Sequence, residues 1–171
     1  MRFTFILIIC SLGFKSVLAQ ATYNLDSTVL TSRTVISGID IPWEITWGPD
    51  DHIWMTERFG RVSRVNPTTG AQEVLLDLSA DVFEQSEAGM LGLVLHPDFT
   101  NNPYVYIAYT YLSGSNILEK LVRFRYNSDS LIEPFTLVDS ITGSTTHIGC
   151  RLLITPDNKL LMTTGDARNT S

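Results

Sequence analysis

Ile45-Thr46-Trp47-Gly48-Pro49-Asp50-Asp51-His52-Ile53-Trp54-Met55-Thr56 is an apolar run, a turn and a second apolar run. Pro presets φ and Asp tolerates the tight bend, so the stretch reads as strand–turn–strand. The unit recurs. Leu91 to Leu95 leads into His96-Pro97-Asp98 and then Tyr104-Val105-Tyr106-Ile107-Ala108-Tyr109. Leu152-Leu153-Ile154 leads into Thr155-Pro156-Asp157-Asn158 and then Leu160-Leu161-Met162-Thr163. The three prolines are 48 and 59 residues apart. Between the units lie further strand candidates. Gly60 to Val65 turns at Asn66-Pro67-Thr68-Thr69-Gly70 and returns over Gln72 to Leu78. Val122, Phe124 and Tyr126 alternate with Arg123 and Arg125, the period of a strand. Four short strands every roughly 50 residues predict an all-β chain of β-propeller blades. A β-sandwich also has regular short strands, but it has no reason to repeat one Pro-Asp turn.

Composition bounds the function. The chain has 171 residues, 44% hydrophobic and 18% charged, which excludes disorder as a whole-chain state. Twelve Lys+Arg against 18 Asp+Glu give a net charge of −6, which argues against nucleic acid as a partner. Met1-Arg2, the apolar Phe3 to Phe14 and Val17-Leu18-Ala19 have the pattern of a signal peptide over residues 1–19, followed by one domain over 20–171. Lys15 interrupts a run already too short to span a bilayer, so no membrane span is expected. The product is expected to be secreted or periplasmic. Cys10 leaves with the signal, and Cys150 reads as a small buried residue. Residues 20–171 hold about three blades, whereas propellers close with about four to eight. The chain is therefore expected to be the N-terminal part of a longer propeller.

Three ordered motifs carry a resemblance. Pro42-Trp43-Glu44-Ile45-Thr46-Trp47-Gly48-Pro49-Asp50 runs on to Ile53-Trp54-Met55-Thr56-Glu57-Arg58. Glu87-Ala88-Gly89-Met90-Leu91-Gly92 runs into Leu95-His96-Pro97-Asp98-Phe99 and Asn102-Pro103-Tyr104-Val105-Tyr106. His147, Arg151-Leu152, Pro156-Asp157 and Thr164-Gly165-Asp166 follow. Together they resemble the glucose/sorbosone dehydrogenase family, with the Pro-Trp start and the Glu before Ala-Gly closer to its aldose/sorbosone branch. The resemblance implies a six-bladed propeller of four-stranded antiparallel blades, of which this chain covers about the first half. It implies pyrroloquinoline quinone (PQQ) as cofactor, calcium beside it, and oxidation of a sugar or polyol with electrons leaving to an external acceptor. His147 then matches the base that takes the hydroxyl proton. Asp166 matches its hydrogen-bonded carboxylate, and Glu87 a cofactor contact. The chain departs from the family at Cys150, where Gly is common. The Arg and Lys that grip the quinone and the calcium ligands are expected in later blades.

The residues themselves allow this chemistry. A neutral imidazole accepts protons well near neutral pH, and a carboxylate on its other nitrogen fixes the tautomer. His147 and Asp166 bracket a hairpin, which returns its ends to one edge. Glu87 sits with Asp81 and Glu84 in an acidic loop, and its carboxylate would repel an anionic quinone unless protonated or counterbalanced. His96 reads as part of a capped turn, and Trp47 and Trp54 as blade core. Asn169-Thr170-Ser171 is a sequon, relevant only in a glycosylating host. No phosphate loop, His-Glu-x-x-His or Gly-x-Ser-x-Gly occurs. The expected function is a secreted quinone-dependent sugar oxidoreductase. A carbohydrate- or protein-binding propeller without catalysis and a calcium-dependent propeller lactonase are the alternatives.

Overall fold

The Pro-Asp turns close hairpins as their sequence requires. In the first, Gly48 N–H donates to the His52 carbonyl at 2.8 Å, and Asp51 takes the left-handed conformation at φ 57°. In the third, Thr155 N–H donates to the Lys159 carbonyl at 2.9 Å, and Asn158 takes the same place at φ 61°. Asp and Asn tolerate this region because their short side chains bond locally. The second unit instead opens into a wider loop over residues 96–103. There His96 Nδ1 accepts from Asp98 N–H at 3.1 Å, the expected capped turn.

The computed structural model describes residues 21–168, and it is all-β. The signal-peptide reading of 1–19, Cys10 and the sequon at Asn169 fall outside the described residues. The chain divides into two units at Thr34/Val35. In the first, β1 (Ala21–Leu25) and β2 (Thr28–Ser32) form an exposed antiparallel hairpin about Asp26. The sequence pattern predicts no strands there.

The second unit holds β3 (Pro42–Trp47), β4 (Ile53–Glu57), β5 (Arg61–Val65) and β6 (Gln72–Asp77) as one four-stranded meander. A second meander follows in β7 (Met90–Leu95), β8 (Tyr104–Ser113), β9 (Asn116–Tyr126) and β10 (Leu131–Thr142). A last hairpin joins β11 (Cys150–Ile154) to β12 (Leu160–Thr164). Within each sheet, sequence neighbours pair antiparallel, the blade topology of a propeller. Strand β7 packs against β3, β4 and β11, so the first strands of successive sheets lie side by side.

The middle sheet is buried on both faces. Trp54, Val62 and Leu75 of the first sheet meet Leu93, Val105, Ile107, Val122 and Phe124 of the second. On the other face Leu91, Ala108 and Leu121 meet Ile148, Cys150 and Leu152. Ile107 and Ala108, like Leu121 and Val122, point opposite ways because the strand period is two. Burial on both sides explains why β8 reads as an almost unbroken apolar run. Trp54 packs edge-on to Phe99 and Tyr126 at 5.7 and 5.1 Å between ring centroids, and its Nε1–H donates to Asp50 Oδ1 at 3.0 Å. The turn aspartate thus satisfies the indole that the core buries.

Trp47 corrects an expectation. It is 59% exposed, not core. It pairs with Ile53, whereas Trp54 pairs with Thr46, so the pleat sends the two indoles to opposite faces of the sheet. Ile45, two residues before it, shares its face, and Trp43, across a register shift, is exposed as well.

Candidate active site

The starts of the first strands and the end of β12 meet at one end of the sheets. Glu87 lies just before β7, His147 just before β11, and Asp166 just after β12. Because β11 pairs Cys150 with Thr164, the residues beyond that pair leave the hairpin side by side. His147 Nδ1 and Asp166 Oδ1 are 3.0 Å apart, so the sequence-predicted pair meets. Both side chains are exposed, at 61% and 57%. Asp166 is held below the ordinary carboxylate range, first by the Arg168 N–H at 3.0 Å and then by His147. An ionised carboxylate only accepts, so the proton of a neutral imidazole sits on Nδ1 and the lone pair on Nε2.

Glu87 joins the same constellation, through its neighbour's backbone. Its Oε2 accepts from the His147 N–H at 2.6 Å, and its own N–H donates to the Thr145 carbonyl at 2.9 Å. Arg58, just after β4, reaches the Ser86 carbonyl and the Glu84 carboxylate and so ties down the loop that carries Glu87. His147 has φ 55°, a left-handed conformation unusual for a non-glycine residue. Its carbonyl accepts from Ala167 N–H at 3.1 Å. Gly165 passes so close that a Cβ there would overlap that carbonyl oxygen, which only glycine permits.

These residues line an open depression of about 580 Å3, with Trp43 from β3 and Ile148, Gly149 and Gly165 completing it. Trp43 is the site residue that sequence reasoning quoted only as a motif; its place at the start of β3, level with Glu87 and His147, was the available signal. Another hollow, between Pro49, Phe99 and Tyr126, lies at the opposite end of the strands and far from this chemistry. Cys150 does not line the depression. It is buried in the seam between the second sheet and β11, with its thiol pushed up to about 12 by burial and then by the Glu119 carboxyl. Such a thiol is packing, not a nucleophile.

A planar quinone fits this end in part. Trp43, Gly149 and Gly165 line the depression, and among the described residues Nε2 of His147 has no partner. The quinone's carboxylates need cations, and no Lys or Arg lines the depression among the described residues. Nor do the described residues contain a group of three His, Cys, Asp or Glu able to hold a metal ion. Among them no helix is long and apolar enough to cross a membrane.

Residues 39–171 match the family described as Glucose / Sorbosone dehydrogenase. The chain is 35% identical over 144 residues to quinoprotein glucose dehydrogenase B of Acinetobacter calcoaceticus, covering 78% of this chain and 30% of that protein. A Thermus thermophilus structure described as an oxidoreductase (glucose dehydrogenase) is 31% identical at TM-score 0.71, over 79% of this chain and 40% of that one. The PQQ-bound form of an aldose sugar dehydrogenase from Streptomyces coelicolor is 26% identical at TM-score 0.72, over 90% of this chain and 44% of that one. The chain thus spans about a third of the curated relative's length and under half of the solved ones. On the match over residues 39–171, the chain belongs to the glucose/sorbosone dehydrogenase family.

Proposed function

We propose that the whole protein is a PQQ-dependent sugar dehydrogenase, and that this chain supplies the side of its active site that carries the base. The observation that carries this is the His147–Asp166 pair, with Nε2 free at an open depression in a family of such enzymes. When bound, the quinone supplies the hydride acceptor. The chain's residues do the proton chemistry. Nε2 of His147 takes the hydroxyl proton of the sugar at its anomeric carbon. Asp166, ionised at neutral pH, holds Nδ1–H and steadies the imidazolium that forms. Trp43 provides an apolar face for a planar cofactor or a sugar ring. The grip on the quinone carboxylates, and calcium beside it, are assigned to residues outside this constellation.

The family resemblance implies a six-bladed propeller of which residues 20–171 form about the first half, and the coverage of under half of each solved relative agrees with a chain of that extent. The N-terminal pattern supports secretion, to the periplasm or beyond.

The test is dye reduction by the whole protein with PQQ, calcium and a panel of aldoses and polyols. Quinone-dependent turnover is expected, and His147→Ala should lower kcat by about 10³-fold or more. Full activity in His147→Ala would overturn the assigned base. One observation favours a second reading, a propeller that binds carbohydrate without oxidising it. The depression combines an indole with two carboxylates and no cation among the described residues. Sugar binding with no quinone binding in the same titration would select that reading.

A further inference from the structure

His147 is restrained at several points. Its left-handed backbone conformation is strained for a residue with a β-carbon and persists only where the surroundings impose it. Four restraints act on it. The carbonyl accepts from Ala167 N–H, the ring is held by Asp166, and the next side chain, Ile148, is anchored in the core at 2% exposure. The fourth is the carboxylate of Glu87 on the His147 N–H at 2.6 Å, a short charge-assisted bond. Glu87 reaches across from a different sheet, and its own N–H holds the Thr145 carbonyl in the same loop. It therefore grips residues 145–147 at two points. Arg58 grips the opposite side of the Glu87 loop through Ser86 and Glu84.

We propose that Glu87 is a positioning residue for His147: its Oε2 holds the His147 N–H and so sets the backbone from which the imidazole is aimed. The importance of His147 to the reaction rests on the function proposed above; the restraint itself does not. This role differs from a cofactor contact, because Oε2 is spent on the His147 N–H. The carboxamide of Gln could accept the same bond through its oxygen, whereas Ala could not.

The decisive measurement is hydrogen exchange at the His147 amide in the quinone-free whole protein, for wild type, Glu87→Ala and Glu87→Gln. Exchange at His147 should rise about tenfold in Glu87→Ala and return most of the way in Glu87→Gln, with β8 amides unchanged. In the loaded enzyme, Glu87→Ala should lower kcat about tenfold at saturating quinone and sugar, with the quinone Kd within about twofold of wild type. Glu87→Gln should restore most of that loss. Unchanged protection at His147 in Glu87→Ala overturns the proposal. So does a quinone Kd raised tenfold or more in Glu87→Gln with protection intact, which would make Glu87 a cofactor contact. If Glu87→Ala does not fold, Glu87→Gln decides alone: a deprotected His147 amide there overturns the proposal, and a protected one with wild-type quinone affinity supports it. Should the protein prove not to turn over sugar, the exchange result still stands or falls by itself.

Discussion

Among the described residues, His147 leaves only Nε2 free, with its N–H held by Glu87, its carbonyl by Ala167 and Nδ1 by Asp166. That is preorganisation in its plainest form, a base aimed before any ligand arrives. The tautomer follows from Asp166 being ionised. In Asp166→Asn the amide can present its NH2 to Nδ1, which moves the imidazole proton to Nε2 and removes the acceptor. Steady-state dye reduction by the whole protein should then show kcat down about 10²–10⁴-fold with sugar KM little changed. A merely structural aspartate would lower stability without that selective loss. Gly165 belongs to the same construction. In Gly165→Ala the new methyl would overlap the His147 carbonyl, so the loop must shift. His147 amide exchange should rise in that variant while the meander strands remain protected.

Between elements, a few polar residues tie one sheet to the next. Thr56 on β4 donates to the Leu91 carbonyl of β7 at 2.6 Å and accepts from the Glu44 N–H of β3 at 3.1 Å. Glu44 is almost buried, and its carboxylate meets Arg151 of β11 at 2.5 Å. The arginine side chain is 71% exposed, so solvent screens it and the pair contributes modestly. Its removal is costlier than that contribution, because a buried carboxylate loses its cation. Arg151→Ala should destabilise the protein by about 1–2 kcal/mol in urea unfolding. Adding Glu44→Gln should recover part of the loss. A change within about 0.5 kcal/mol, the range of an ordinary surface substitution, would mean that Glu44 is satisfied by other groups.

Across the whole molecule, the seam between the second sheet and β11 contains a group that opposes stability. Glu119 on β9 is fully buried, and among the described residues neither carboxylate oxygen has a hydrogen-bond partner of good geometry. The Cys150 thiol lies beside it. Burial pushes the Glu119 carboxyl up to about 7 from an ordinary 4.5. The unfolded chain releases this proton near 4.5 and the folded protein only near 7, so the folded state binds more protons between those values. Stability from this group is complete below about pH 4.5, falls as pH rises to about 7, and levels beyond. The total is about 3 kcal/mol. The thermal midpoint of wild type should therefore drop between about pH 5 and pH 7.5 relative to Glu119→Gln, whose side chain does not titrate. Parallel curves for the two proteins would show that Glu119 gains a partner on ionising. The same burial makes Cys150 slow to react with a thiol reagent in the folded protein.

The repeated Pro-Asp turns, the alternation of Val122, Phe124 and Tyr126, and the bracketing of a hairpin by His147 and Asp166 were legible from the chain because each is a local property. Turn chemistry and strand period act over a few residues, and a hairpin brings its own ends together. The fates of Trp47 and Trp54 were not legible: both are large and apolar, and only the register of β3 on β4 decides which indole enters the seam. The wider loop at 96–103 was hidden too, since the same His-Pro-Asp start serves a tight turn or a long one. Glu87 shows the limit most clearly. The residues alone read as an acidic loop and the family resemblance made Glu87 a cofactor contact, whereas its bond to the His147 N–H spans 60 residues and two sheets. Local pattern determined the strands of the two meanders and the last hairpin, two of the three Pro-Asp turns and the nearness of His147 to Asp166. The packing of one sheet on the next decided what each side chain touches, because contacts between sheets depend on strand register and on which face each side chain occupies.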